Sequence, residues 1–182
     1  MQHLGFSKDL KELEPKEVIR KVRGTLRVMR ERGQHVPEET TKLIYKTLCR
    51  SLQTAPIDIF SHVKDEELKL NNYGLNSEQT KPISYVLPFI SEMKSVKMTN
   101  CNLTDEAASM VVDSVLGGSN VKSLDFKGIQ MGEKFLSSFN SALENDPECL
   151  WELSMEGLKT SISMSVLIQS IQPCMNLVYL DI

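Results

Sequence analysis

The residues of this chain best suited to metal binding or covalent chemistry are three histidines and four cysteines, and their spacing argues against both roles. His3, His35 and His62 stand far apart in stretches that read as loops or termini, with no cysteine or carboxylate at ligand spacing beside them. Cys49, Cys101, Cys149 and Cys174 form no close pair and sit among apolar neighbours, a setting that raises a thiol pKa and lowers its reactivity. The sequence has no glycine-rich phosphate loop and no nucleophile elbow. Acids such as Glu106 and Asp113 fall on predicted solvent faces. The expectation is a chain that is no enzyme and holds no metal or cofactor.

What remains is the question of which elements the other residues build. At 182 residues, 41% apolar and 25% charged, the chain has the composition of an ordinary globular protein. No apolar run approaches the ~20 residues of a membrane span. The opening MQHLGFSKDLKELEPKEVIRK lacks the pattern of a secretory signal. With the cysteines read as reduced small hydrophobes, the expected location is cytoplasmic. Charge divides unevenly: residues 1–64 carry +5 and residues 65–182 carry −8, within a total of −3. Two parts of opposite sign point to two roles, or to one part lying on the other.

The stretch VKMTNCNLTD (96–105) has a counterpart in LKLNNYGLNS upstream. The apolar pair Leu68/Leu70 recurs as Val96/Met98, Leu124/Phe126, Leu153/Met155 and Leu180/Ile182, at spacings of 28, 28, 29 and 27. Three residues after each pair stand Tyr73, Cys101, Ile129 and Leu158, and two further on Leu75, Leu103, Met131 and Thr160. Three before it stand Met93, Val121, Leu150 and Leu177, with Asp65 the exception. Such a pattern is a repeat array. The alternating pair is a short strand with one buried face. A helical period follows: Ala108, Val111, Val112, Val115 and Leu116 share a face, and Gly117–Gly118 mark the helix end. Phe135, Leu136, Phe139 and Leu143 repeat the face, as do Val166, Leu167, Ile168 and Ile171. Pro82 and Pro88 predict that the first helix is short, kinked or late.

VKMTNCNLTD, with the looser copies LDFKGIQMGE and LSMEGLKTSI, resembles the LxLxxCxLTD pattern of the ribonuclease-inhibitor class of leucine-rich repeats. The resemblance covers residues 65–182 and implies an α/β solenoid, with parallel strands on a concave face and helices on the convex one. Only Cys101 places cysteine where that family often has Cys or Asn. Four units and the strand of a fifth are expected, the last stopping at LVYLDI. An uncapped end of this kind predicts a fragment of a longer protein, or a face covered by another chain.

Residues 1–64 read as a basic helical segment. PKEVIRKVRGTLRVMRERG predicts a helix from about 15 to 32, with Ile19, Val22, Leu26 and Met29 as its apolar stripe. Its other faces carry Arg20, Arg23, Arg27 and Arg30 among further cations. PEETTKLIYKTLCRSL predicts a second helix faced by Ile44, Leu48 and Leu52. Three readings apply: a cap on the first repeat; a basic helix for an acidic surface of protein, nucleic acid or lipid; and an adaptor box like that of ubiquitin-ligase receptors, which LIYKTLCRSLQ resembles in part. Nucleic acid is the weaker partner, because no reader motif accompanies the charge.

The strand register assigns to the concave face Glu67, Lys69, Asn71; Ser95, Lys97, Thr99; Ser123, Asp125, Lys127; Glu152, Ser154, Glu156; and Tyr179, Asp181. Trp151 and Tyr179 are its aromatic candidates for a partner anchor, with packing on the preceding turn the alternative for Trp151. The leading expectation is a non-catalytic protein–protein interaction scaffold, a subunit of a larger intracellular assembly. The resemblance also admits a GTPase regulator of the Ran GTPase-activating type and a ubiquitin-ligase substrate receptor. The actin-capping tropomodulins share the repeat type, but no actin-binding helix is evident here.

Overall fold

A computed structural model describes residues 14–31, 36–90, 93–116, 120–160 and 162–182, except for the side chains of Pro15, Arg23, Leu26, Arg30 and Glu31. Two helices come first, α1 (Pro15–Glu31) and α2 (Glu38–Ser51), followed by a 3-10 turn (Ile59–His62). The strand β1 (Val63–Lys64) pairs antiparallel with β2 (Glu67–Asn71). Then come α3 (Ser77–Val86), β3 (Ser95–Thr99), α4 (Asp105–Leu116), β4 (Ser123–Lys127), β5 (Gln130–Met131) and α5 (Glu133–Asn145). The chain closes with β6 (Glu152–Glu156), β7 (Lys159–Thr160), α6 (Met164–Ile171) and β8 (Tyr179–Asp181).

The fold is α/β. Its main sheet runs β1-β2-β3-β4-β6-β8, parallel except for β1, and β5 with β7 forms a second, two-stranded parallel sheet. The register carries Leu68 to Val96, Leu124, Leu153 and Leu180 in turn, so strand order is chain order and the expected index pairs align. Consecutive helices pack on one another from α1 through α6. Between helices and sheet lies one continuous apolar core, from Val18 to Ile171, in which Phe126, Phe135 and Phe139 are fully buried. Because α1 and α2 contribute to that core, the N-terminal segment and the repeats are not separated by a gap in packing.

Local chemistry explains each turn. Asp65 and Glu66, both at positive φ (50° and 65°), make the two-residue link of the β1–β2 hairpin, the conformation a right-handed strand twist favours. This is the reason Asp65 breaks the apolar column. After each strand the chain needs one left-handed residue, and Asn72, Asn100, Gly128 and Gly157 supply it in register (φ 60°, 52°, 70° and 63°). Asn76 starts α3 with a capping box: its Oδ1 accepts from Gln79 N at 2.8 Å, and Gln79 Oε1 accepts from Asn76 N at 3.3 Å. The helix then takes Pro82 inside it and stops after 10 residues in a 3-10 turn containing Pro88, short as expected.

Two apolar faces differ from expectation. In α6 only Leu167 and Ile171 of the expected four are buried, while Val166 and Ile168 are exposed. At about 100° per residue these two flank Leu167 on opposite sides, so one face cannot hold both. In α1 the buried side is Val18, Val22 and Met29, with Ile19 half-buried; Val18 was not in the expected stripe, and Leu26 lies outside the described side chains. In α2, Ile44 and Leu48 are buried with Thr41, Tyr45 and Cys49, and Leu52 is half-buried. Gly117–Gly118, read as a helix end, lie outside the described residues.

Candidate interaction surface

Alternation along each strand puts Leu and its equivalents into the core and lifts the residues between them onto the opposite, open face of the sheet. There the register sets Glu67 beside Ser95, Ser123, Glu152 and Tyr179, and Lys69 beside Lys97, Asp125, Ser154 and Asp181. Asn71, Thr99, Lys127 and Glu156 form the third row. The strand residues assigned to this face by register lie on one side of the sheet, whereas Trp151, expected with them, precedes β6 and stands at its rim.

The rows are tied by ion pairs that no single strand reveals. Glu67 takes Lys69 at 3.3 Å through Oε2 and Lys97 at 3.3 Å through Oε1, and Lys97 also lies 3.9 Å from Asp125. Lys127 donates to Glu156 at 2.7 Å. Partial burial opposes charge on Glu67, but hydrogen bonds from Lys97 and Lys69 outweigh it and hold the carboxyl below its usual range. The Lys127 hydrogen bond likewise lowers Glu156 and raises Lys127. Ser95 Oγ and Asp125 Oδ1 are buried with no hydrogen-bond partner among the described residues. Among the described residues Glu152 and Asp181 have no cation at ion-pair distance, and the Tyr179 hydroxyl lies 3.5 Å from Asp181 Oδ2. Positive charge is thus paired off on β2 to β4, and the acids without a described ion pair, Glu152 and Asp181, stand on β6 and β8.

Each end of the strands adds a rim. Before the strands, Glu66, Lys94, Lys122 and Trp151 form a column, each backbone carbonyl accepting from two N–H groups of the next strand, as Glu66 O does from Lys94 (2.7 Å) and Ser95 (3.2 Å). Lys94 Nζ also pairs with the Glu66 carboxylate at 2.7 Å, and Lys122 Nζ donates to Glu148 O at 3.3 Å. Trp151 is 48% exposed, so it is available to a partner, beside a depression of about 440 Å³ that Lys94, Lys97 and Lys122 help line. Tyr179 is 53% exposed. Past the other end of the strands, Asn100, Asn102, Lys127, Gly128 and Lys159 line a second depression of about 490 Å³.

Side chains of Cys101 and Asp105 tie successive units together. Cys101 Sγ donates to Leu70 O of the preceding unit at 3.2 Å. Asp105 Oδ1 accepts from Gly132 N (2.8 Å) and Phe135 N (2.9 Å), and its Oδ2 accepts from Lys134 N (3.1 Å), so the acid of one unit caps helix α5 of the next. Gly132 leaves room for it: a Cβ there would lie 2.6 Å from Asp105 Oδ2. The signals were in the sequence, as the LTD triplet and as Asn or Gly four residues past each first index residue.

Of the basic helix, Arg20 is 77% exposed in its side chain, 3.6 Å from Glu17, and Arg27 is exposed; the side chains of Arg23 and Arg30 lie outside the described set. The helix therefore turns apolar residues inward and cations outward. His62 Nε2 lies 2.6 Å from the Tyr73 hydroxyl, while His3 and His35 are outside the described residues. Burial pushes the Cys49 and Cys101 thiols upward and takes Cys149 up to about 11, which suits packing and not nucleophilic attack. Among the described residues no group of three or more metal-ligating side chains is found, and no helix is long and apolar enough to cross a membrane. The chain matches no protein-family model and no curated protein.

Proposed function

We propose that the chain is a leucine-rich-repeat solenoid of the ribonuclease-inhibitor type that holds a partner protein on its concave sheet face, as a non-catalytic scaffold within a larger intracellular assembly. Five in-register parallel strands in chain order, a helix after each of the first four, and the Cys101 thiol bonded to the preceding unit support the repeat reading. Helices α1 and α2 serve as the N-terminal cap, and the exposed cations of α1 face whatever acidic surface the assembly presents. The buried, raised thiols fit a reducing compartment.

The observation that carries the functional reading is the open face itself. Its frame repeats while its side chains vary: Asn71, Thr99, Lys127 and Glu156 share one row and differ in size, polarity and charge. A surface with a fixed frame and varied side chains reads a partner, and the exposed Trp151 and Tyr179 are suited to anchor it. The test is affinity isolation from the source cells with wild-type chain and with Lys127→Ala, Glu152→Ala and Tyr179→Ala combined. The triple variant is expected to fold and to lose the partner. Full retention by the variant, or stimulation of GTP hydrolysis when wild type is added to a panel of GTPases, would overturn the reading.

A further inference from the structure

The outward side of α1 carries its charge in an ordered way. At about 100° per residue, positions 16, 20, 23, 27 and 30 fall within about 80° of arc, turned away from the buried Val18, Val22 and Met29. All five are lysine or arginine, and no other position of the helix falls in that arc. They form a stripe about 21 Å long with about one cation per turn. Lys16, Arg20 and Arg27 are exposed. Arg20 lies 3.6 Å from Glu17, but both side chains are exposed, and such a pair offsets little of the charge. Glu17 and Glu31 lie to one side of the stripe. The apolar side of the helix is taken up by the core, where Val18 and Val22 are fully buried.

We propose that this stripe binds the surface of a bilayer containing anionic lipid, by charge and without insertion. The proposal commits the acidic surface facing α1 to one kind and rests on the reading of α1 as the cap; capture of a protein on the sheet face is independent of it. Three surfaces match a row of cations in sign, and shape and composition select among them. A protein interface is built round an apolar core depleted of charge, and this arc holds no apolar residue. A helix in the major groove of a duplex presents its flanks to the phosphates, and one flank here holds Glu17 and Glu31. A flat bilayer touches a helix only along its outermost line, which is the stripe, and leaves the flanking acids out of contact. Arginine at four of the five positions suits lipid phosphates, which its planar fork binds through two hydrogen bonds. With its apolar side in the core, α1 cannot sink into the headgroup layer as a free amphipathic helix does. The same packing places the rest of the chain behind α1, which holds the acidic residues of 65–182 back from the membrane.

Co-sedimentation of the whole chain with vesicles tests it. Vesicles of equal parts phosphatidylserine and phosphatidylcholine should bind the chain at ~0.1 M salt and release it at ~1 M, as screening shortens from about 10 Å to about 3 Å. Phosphatidylcholine alone should not bind it. Each cation removed should weaken binding roughly fivefold, so Lys16→Ala with Arg20→Ala should lose about 25-fold. Lys134→Ala with Lys159→Ala removes the same charge from exposed positions of the repeats and should lose little. Amine acetylation of the wild-type chain decides the matter even if a variant unfolds: the vesicles should protect Lys16 and leave Lys134 and Lys159 reactive. The triple variant of the sheet face should bind the vesicles as wild type does, which separates the two proposals. No binding at low salt, binding that survives ~1 M salt, or equal losses from the two pairs would overturn the proposal. So would protection of Lys16 by a DNA duplex or polyglutamate and not by the vesicles.

Discussion

Replacing Asp105 with alanine takes the acceptor from three backbone N–H groups of the following unit, on Gly132, Lys134 and Phe135. Loss of a helix cap costs ~1–2 kcal/mol. Hydrogen bonds to a charged acceptor are stronger, about 1.5–3 kcal/mol each when water cannot replace the lost partner. Here the Lys134 contact is exposed and those of Gly132 and Phe135 are half-buried. The expected loss is therefore ~2–4 kcal/mol, well short of three full bonds. Asp105→Asn keeps one acceptor oxygen without the charge and should lose about half as much.

Gly132 supplies the second arm. Its backbone is extended (φ −137°, ψ −161°), which any residue adopts, so alanine there harms only by pushing on the carboxylate 2.6 Å away. Gly132→Ala should cost ~1–3 kcal/mol in the wild-type chain and about zero in the Asp105→Ala background, where the carboxylate is gone. Urea unfolding followed by circular dichroism on the four chains of this cycle gives the coupling, expected to exceed ~1 kcal/mol. Additive losses would refute the inter-unit cap. So would an Asp105→Ala loss no larger than that of Glu106→Ala, which removes only an exposed 3.8 Å pair with Lys134.

Leu124→Asp should unfold the chain, because a carboxylate enters a site 1% exposed and ~1.5–3 kcal/mol of apolar burial is lost. Lys97→Met on the open face should lose less than ~1 kcal/mol by urea unfolding, and equal damage from both would contradict the face assignment. The depressed carboxyl of Glu67 contributes stability above its unfolded pKa of about 4.3 and surrenders it as pH falls through its folded value. Urea midpoints should fall on acidification through that window, less steeply in Glu67→Gln; identical slopes would exclude the pairing. Near pH 8 a disulfide reagent should leave Cys49, Cys101 and Cys149 of the native chain unmodified and label all of them after unfolding. Fast native labelling of Cys101 would contradict its placement.

The strand frame was legible because a period of two inside each strand and a spacing of 27 to 29 between strands leave one register that aligns the index columns and buries the first four pairs. Leu124 and Phe126 announce their burial by type alone. Contacts between units were less legible, since each side of them reads as ordinary by itself. Asp105 looks like a first-turn acid of its own helix, yet its partners lie 27 to 30 residues on. Lys97 illustrates the same limit. Read within its strand it is a solvated cation whose change to glutamate would be nearly neutral. Across strands it stands between Glu67 and Asp125, so Lys97→Glu would gather three carboxylates and destabilise more than Lys97→Met. Val166 and Ile168 show the reverse error, apolar type taken for burial at positions that flank the buried Leu167 and are themselves exposed.

The central claim is that the open sheet face receives a partner protein. A photo-activated cross-linking residue at Ser154, in the middle row of that face, tests it against one at Glu144, exposed on α5. Irradiation in the source cells should trap a protein from position 154 and none from 144. Trapping from 144 and not from 154 would place the partner on the helices and contradict the account.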